Sequence, residues 1–427
     1  MPQRVLLLAT ICSLILTWLP ATGLPLAAQE EPLQVYVLVG QSNMQGHADV
    51  RTLPHLQTGS KTRLLLEKIV DEQGRPRLID NVWIAYRSAN GEKSGTLTTG
   101  FGANDNKFGP ELTFGICMQQ RVQQPILLIK AAWGGKSLHT DFRPPGSGPY
   151  RFSESQLANL KRQGKDVDEL RQEKASASGV YYRHTVEHVE HVLGNLDSYY
   201  PDYDPDHGYE LAGLVWFQGW NDMVDGSTYP ARREPGGYDE YSRLLAQLIR
   251  DFRKDLSAPQ LPVVIGVMGV GGPTQDYGPN QQRYRQTHQN FRDAMAAPAQ
   301  LDEFQGRVIA VLTENCWDEH LSELVARESA INSRINHARR QNQLQQLIGE
   351  LVDEGVLSAD RQVTLQAEAD DRQLERDLRE AYRRHAFTDE ELEILTTGKS
   401  NAAYHYLGSG KIIARIGQAF ADAMPLD

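Results

Sequence analysis

The feature that most constrains this chain is a set of short, continuous apolar runs rich in β-branched residues: Val35–Val39, Ile126–Ile129, Leu214–Phe217, Val263–Val270 and Val308–Leu312. None alternates polar with apolar positions, so each predicts a strand covered on both faces rather than one with a wet side. Helical spacing fills the intervals. Glu111–Gln120 follows a Gly-Pro start, and Tyr181–Leu196 and Tyr238–Phe252 repeat apolar residues every three or four positions. This alternation predicts an α/β fold: a three-layer α/β/α sandwich around a mainly parallel, five-stranded, flavodoxin-like sheet. Val82–Tyr86 is a candidate for an added strand.

The stretch 318–398 departs from the pattern. It contains no convincing strand, and Leu321, Leu324, Ile331, Ile335, Leu344, Leu347, Ile348 and Leu351 fall at helical spacing among charged residues. Thr388 with Glu391 forms a capping box, and Gly398 closes that helix. We read 318–398 as a helical insertion, placed before the last helix, within one domain spanning 29–427. It serves either as a hairpin packed on the main body or as a lid.

Ahead of the first strand, Met1–Arg4 is basic, Val5–Leu19 is apolar, and small residues follow at 21–23 and 27–28. This predicts a signal peptide over 1–28, hence a secreted or periplasmic protein with no stable membrane span after cleavage. The 427 residues are 40% hydrophobic, enough for a sizeable core. A net charge of −11 argues against a nucleic-acid partner. Cys12 leaves with the signal, and Cys117 and Cys316 read as two free thiols. No CxxC, HExxH or other metal-ligand spacing occurs, so neither metal nor cofactor is expected.

The strongest chemical signal is the first strand running directly into Gly40-Gln41-Ser42-Asn43-Met44. The carboxyl ends of parallel strands are where such folds bind ligands. Taken alone, a serine there reads equally well as a helix cap.

Gly40-Gln41-Ser42-Asn43-Met44 resembles the nucleophile block of the SGNH hydrolases, in the form found in the sialate O-acetylesterase-like group and carbohydrate esterase family six. Phe108-Gly109-Pro110-Glu111, Lys130 to Leu138 around Trp133-Gly134-Gly135, Val215 to Asp222 around Gln218-Gly219, and Tyr404-His405-Tyr406-Leu407-Gly408 resemble the later blocks, in order. The resemblance implies a serine esterase that removes O-acetyl groups from carbohydrates, such as sialic acid or xylan, through an acetyl-serine intermediate. Ser42 would be the nucleophile and His405 the general base. The amides of Ser42 and of Gly134 or Gly135, with the Gln218 side chain, would hold the oxyanion. Gln41, Asn43, Trp133, Trp220 and Asp222 are the candidates for substrate binding. The partner would be an acetylated carbohydrate.

One position departs from that pattern. The superfamily usually carries Asp three residues before the catalytic His, and here that residue is Ala402. Asp318 is our choice for the acid that orients His405, with Glu319, Asp222, Asn401 or a backbone carbonyl as alternatives. A Ser–His dyad, or a glycan-binding protein that keeps the fold without turnover, also fits this departure.

Overall fold

The computed structural model describes residues 31–367 and 370–426, and the expected signal peptide lies outside the described residues. The strands are β1 (Leu33–Gly40), β2 (Ala48–Asp49), β3 (Val82–Ser88), β4 (Gly91–Thr96), β5 (Lys107–Phe108), β6 (Ile126–Ala132), β7 (Tyr209–Phe217), β8 (Val263–Val267) and β9 (Val308–Leu312). The central sheet runs in the order β4-β3-β6-β1-β7-β8-β9, while β2 and β5 form a separate two-stranded ribbon. The five apolar runs become neighbouring parallel strands, from β6 through β9.

The expected sheet of five strands is corrected to seven. β3 adds to β6 in parallel, and β4 turns back antiparallel to form the edge. β4 reads Gly-Glu-Lys-Ser-Gly-Thr and is largely exposed, so it carries no apolar signal. A short, charged edge strand closes a sheet while discouraging further pairing.

Successive side chains on a strand point to opposite faces, and both faces are covered. Trp216 meets Phe142 edge-on at 5.2 Å, whereas Phe217 meets Phe420 of the last helix, Gly410–Ala423, at 5.3 Å. Tyr36 packs on Phe114 of helix Glu111–Val122. In the other layer Tyr182, on helix Val180–Leu193, stacks on Phe252 of helix Asp239–Asp255. β1 and β7 approach closely at Gly40, where a Cβ would lie 2.1 Å from the Phe217 carbonyl oxygen. Only glycine fits there.

Between β9 and the last helix lie Glu319–Arg340, Leu344–Asp353, Ala359–Gln366, Asp371–Ala386 and Asp389–Gly398, all helical. Thr388 and Glu391 make the expected capping box. Leu321, Leu324, Ile331, Ile335, Leu347 and Ile348 are buried. Arg51 fastens the end of the last of these helices by donating to the carbonyls of Thr396 and Lys399. From Pro32 onward the described residues form one compact unit. Among them, no helix is long and apolar enough to cross a membrane. Cys117 and Cys316 are buried and unpaired, and burial pushes both thiols up to about 11.

β6 carries one charge inside its apolar run. Lys130 is wholly buried, and its Nζ donates to Glu111 Oε2 at 2.7 Å, Phe101 O at 2.7 Å and Gln45 O at 3.0 Å. Glu111, equally buried, accepts from the Gly109 amide at 2.8 Å. Burial pushes Lys130 down and Glu111 up, and each charge opposes the other's shift. The pair therefore holds the chain just beyond Ser42 against β6. Lys130→Met strands a buried carboxylate and is expected to cost about 3–5 kcal/mol in urea unfolding. The double change with Glu111→Leu is expected to recover at least half of that loss.

Candidate active site

The first four sequence blocks leave the carboxyl ends of strands, whereas the His405 block follows helix Asp389–Gly398, and side-chain hydrogen bonds fix how the exits of β1, β6 and β7 meet. Gln41 follows β1 and is buried. Its Oε1 accepts from Gly219 N at 3.0 Å, Gln218 Nε2 at 3.2 Å and Asn221 N at 3.4 Å, and its Nε2 donates to Asn221 Oδ1 at 3.0 Å. Two backbone donors on one atom leave a single sensible orientation for this amide. Gln41 thus splices β1 to the chain leaving β7, with its carbonyl oxygen filled and only the second Nε2 hydrogen, directed at Ser42 Oγ, weakly engaged.

Ser42 opens the short helical turn Ser42–Gln45. Its Oγ lies 3.5 Å from Gln41 Nε2. Asn43 is buried, and its side chain makes no hydrogen bond among the described residues. Gly134, just beyond β6, borders the serine: a Cβ there would lie 3.8 Å from Ser42 Cβ and 3.3 Å from Gln45 Oε1. Gly135 takes a left-handed φ of +73°. Among the described residues the amide N–H groups of Ser42, Gly134 and Gly135 donate to nothing in the chain. Of these unpaired donors, that of Gly134 belongs to the residue that borders Ser42. Trp133 points away from it, buried against Phe142 and Tyr181. It is a core residue rather than a substrate contact.

Gln218, after β7, is corrected too. Its Nε2 donates to Asp222 Oδ2 at 2.6 Å, Lys136 O at 3.0 Å and Gln41 Oε1 at 3.2 Å, while its Oε1 accepts from Tyr241 at 3.1 Å. Both amide protons have acceptors, so none remains for an oxyanion. Asp222 is wholly buried. It accepts from Leu138 N at 2.8 Å, His139 N at 3.1 Å and Tyr229 Oη at 3.1 Å, besides Gln218. Its carboxylate holds the loop after β6 and cannot reach a sugar.

His405 sits in a closed loop ahead of the last helix. Ser400 N and Asn401 N both donate to Leu407 O at 2.9 Å, and His405 N donates to Ala402 O at 3.0 Å. Tyr406, Leu407 and Gly408 follow with φ of +52°, +60° and +56°. The Tyr406 ring is buried, and its hydroxyl accepts from Gly269 N at 2.9 Å and pairs with Thr313 Oγ1 at 2.7 Å. The loop packs on the Ser42–Gln45 turn. Asn401 Oδ1 accepts from His405 Nδ1 at 3.0 Å and from Ala402 N at 2.8 Å. The His47 ring lies parallel to that of His405, with centroids 3.9 Å apart. Burial, then the Lys107 charge, lowers His405 to about 4, and burial with His405, Lys107 and Lys130 lowers His47 to about 3. Both rings are neutral at ordinary pH.

Asp318, expected to orient His405, lies elsewhere. Its carboxylate binds His55 Nε2 at 2.9 Å and Lys411 Nζ at 2.8 Å, and it caps helix Glu319–Arg340 through Leu321 N at 3.1 Å. Glu319 is exposed on that helix. Trp220 is partly exposed and stands 5.5 Å from the ring of Tyr404, a residue that is 43% exposed and whose ring meets His405 edge-on at 4.4 Å. Lys107 carries no sequence signal, because a lone lysine in a polar stretch reads as surface. Among the described residues no group of three or more His, Cys, Asp or Glu could hold a metal ion.

Residues 32–305 match the family described as carbohydrate esterase, sialic acid-specific acetylesterase. The chain belongs to this family. It is a carboxylic ester hydrolase of the carbohydrate esterase type, and the match ends just before β9. Solved structures similar to this esterase include a protein from Arabidopsis thaliana (20% identity, 66% of this chain and 86% of that one, TM-score 0.35). Another is a carbohydrate acetylesterase from Xanthomonas citri (12% identity, 66% of this chain and 51% of that one, TM-score 0.37). No curated protein matches the chain.

Asp222→Asn in this esterase removes an ionised acceptor that two backbone amides and Gln218 share. Hydrogen bonds to charged groups contribute about 1.5–3 kcal/mol each. A loss of at least about 3 kcal/mol is expected, read from the urea midpoint at unchanged slope.

Proposed function

We propose that this esterase removes O-acetyl groups from carbohydrates through an acetyl-Ser42 intermediate. The observation that carries the reading is the packing of the His405 loop on the Ser42 turn, with Gly134 bordering the serine and free amides around it. The hydrogen on His405 Nδ1 faces Asn401 Oδ1, which leaves Nε2 with the lone pair a base needs. Ser42 and His405 share no hydrogen bond among the described residues, and such contacts are commonly long in ligand-free sites.

In the first half-reaction His405 Nε2 takes the Ser42 proton as Oγ bonds to the acetyl carbonyl carbon. The carbonyl oxygen becomes an oxyanion, held by the amides of Ser42 and of Gly134 or Gly135. Collapse breaks the bond to the sugar oxygen, which receives the proton from His405. Water then gives a proton to His405 and attacks the acetyl-serine, releasing acetate and restoring Ser42. Trp220 and Tyr404 offer ring faces beside the imidazole, a surface suited to the apolar face of a sugar. Asn43 remains a candidate contact. The basic, apolar start of the sequence supports export, with a mature domain from residue 29 and 318–398 as its helical insertion.

Ser42→Ala is expected to lower release of acetate from acetylated sugars and p-nitrophenyl acetate at least about a thousandfold. Equal rates would end the proposal, and tight glycan binding without acetate release by the unmodified protein would favour a binding role. The neutral imidazole is the active form, so kcat/KM is expected to stay level above pH 5. It is then expected to fall tenfold per unit below about 4, where His405 takes up a proton.

A further inference from the structure

We propose that Asn401 is the positioning residue that stands in for the missing carboxylate: its carbonyl holds His405 with the hydrogen on Nδ1, and its amide nitrogen faces the ring that stacks on His405. The inference rests on the Ser42–His405 reading above.

An asparagine beside a catalytic imidazole is useful or harmful according to which end it presents. The carbonyl end accepts the Nδ1 hydrogen and leaves Nε2 basic. The amino end donates instead, forces the hydrogen onto Nε2, and removes the lone pair that must take the serine proton. One backbone contact decides the matter at Asn401. Its Oδ1 already accepts from the Ala402 amide at 2.8 Å, a backbone donor that cannot reverse, so the same oxygen must accept from His405 Nδ1 at 3.0 Å. Its Nδ2 lies 3.5 Å from His47 Nδ1, which accepts when His47 carries its hydrogen on Nε2. Turning the amide over would set an amino group against the Ala402 N–H. The backbone donor selects the productive orientation.

His47 also forms a wall. Its ring lies within 2° of parallel to His405. An imidazole confined between this wall and the Tyr404 edge, and bonded at Nδ1, has little freedom to swing Nε2 away from the serine turn. The charged and titratable groups facing His405 are His47, Lys107 of β5 and Tyr404 of its own loop, with Lys130 of β6 acting on His47. No carboxylate bonds the ring among the described residues. A neutral amide fixes the tautomer without stabilising the imidazolium, in agreement with the depressed proton affinity of His405.

The test compares Asn401→Ala and Asn401→Asp with the unmodified and Ser42→Ala proteins, using acetate release from p-nitrophenyl acetate as a function of pH. Asn401→Ala is expected to lower kcat at least tenfold with KM within twofold. Asn401→Asp keeps the acceptor and adds a negative charge. It is expected to restore kcat to within about threefold of the unmodified protein. It is also expected to move the acid limb up by at least one pH unit, since an opposite charge at this range raises a pKa by about 1–3 units. A kcat for Asn401→Ala within twofold of the unmodified protein, or an acid limb for Asn401→Asp that does not move, would overturn the proposal. Should Asn401→Ala fail to fold, the Asn401→Asp profile alone decides. Loss of turnover in Ser42→Ala beside an unaffected Asn401→Ala rejects only this inference, whereas full turnover in Ser42→Ala rejects the Ser42–His405 reading itself.

Discussion

The buried carboxylate of Asp222 is the point on which the rim of the sheet depends. It draws two backbone amides from the chain leaving β6, a tyrosine hydroxyl from a later loop, and the Gln218 amide from the chain leaving β7. No cation is among these partners, so four donors alone offset the desolvation of the charge. An ionised carboxylate fits because it only accepts; an amide would set its own hydrogens against one of the donors. Gln218 passes the connection to Gln41, and Gln41 grips Gly219 and Asn221. Three strand exits are thereby locked together. The close approach of Gly134 to Ser42 is a consequence of that lock, to which Ser42 adds only the long contact from Gln41 Nε2.

A second set of contacts places the imidazole. Tyr406 and Leu407 are left-handed without being glycine, at a cost of order 1–3 kcal/mol each. The Tyr406 ring, buried beside Phe217 and Trp317, and its bonds to Gly269 beyond β8 and Thr313 beyond β9 offset this strain. So the serine is positioned from β1, β6 and β7, and the histidine from β8 and β9. The His405 loop packs on the Ser42 turn because one sheet carries all five strands.

This division explains what the sequence made legible. Apolar runs of strand length reveal strands covered on both sides, and all five appear. β4 stays hidden because an edge strand needs no apolar face. Ser42 and Gly134 are legible because motif and strand exit coincide, and His405 because its motif directly precedes the last helix. The polar residues beside them are harder to read: Gln41, Gln218 and Asp222 have the chemistry of ligand contacts, but residue type does not say whether a polar atom faces out or in. Asp318 was chosen for following a strand, and its carboxylate is engaged by His55, Lys411 and a helix end. One clue was present. Gln218 and Asp222 are four residues apart, the spacing at which an amide and a carboxylate meet across a helical turn.

The electrostatics of the rim follow from these placements. The carboxylates nearest the site are engaged below it: Asp222 by neutral donors, Glu111 by Lys130. The charge of Lys107 acts on His405, and the amides of Ser42, Gly134 and Gly135 are unpaired among the described residues. Such a field favours negative charge developing on an acetyl oxygen and disfavours positive charge on the imidazole. The two effects oppose each other in the same transition state. A weakly basic His405 is fully deprotonated at ordinary pH but draws the serine proton with less driving force. In the proposed mechanism, an oxyanion bonded by amides already in place would then supply the larger share of transition-state stabilisation. An arrangement of this kind tolerates a neutral amide beside the histidine better than one that relies on a strong base.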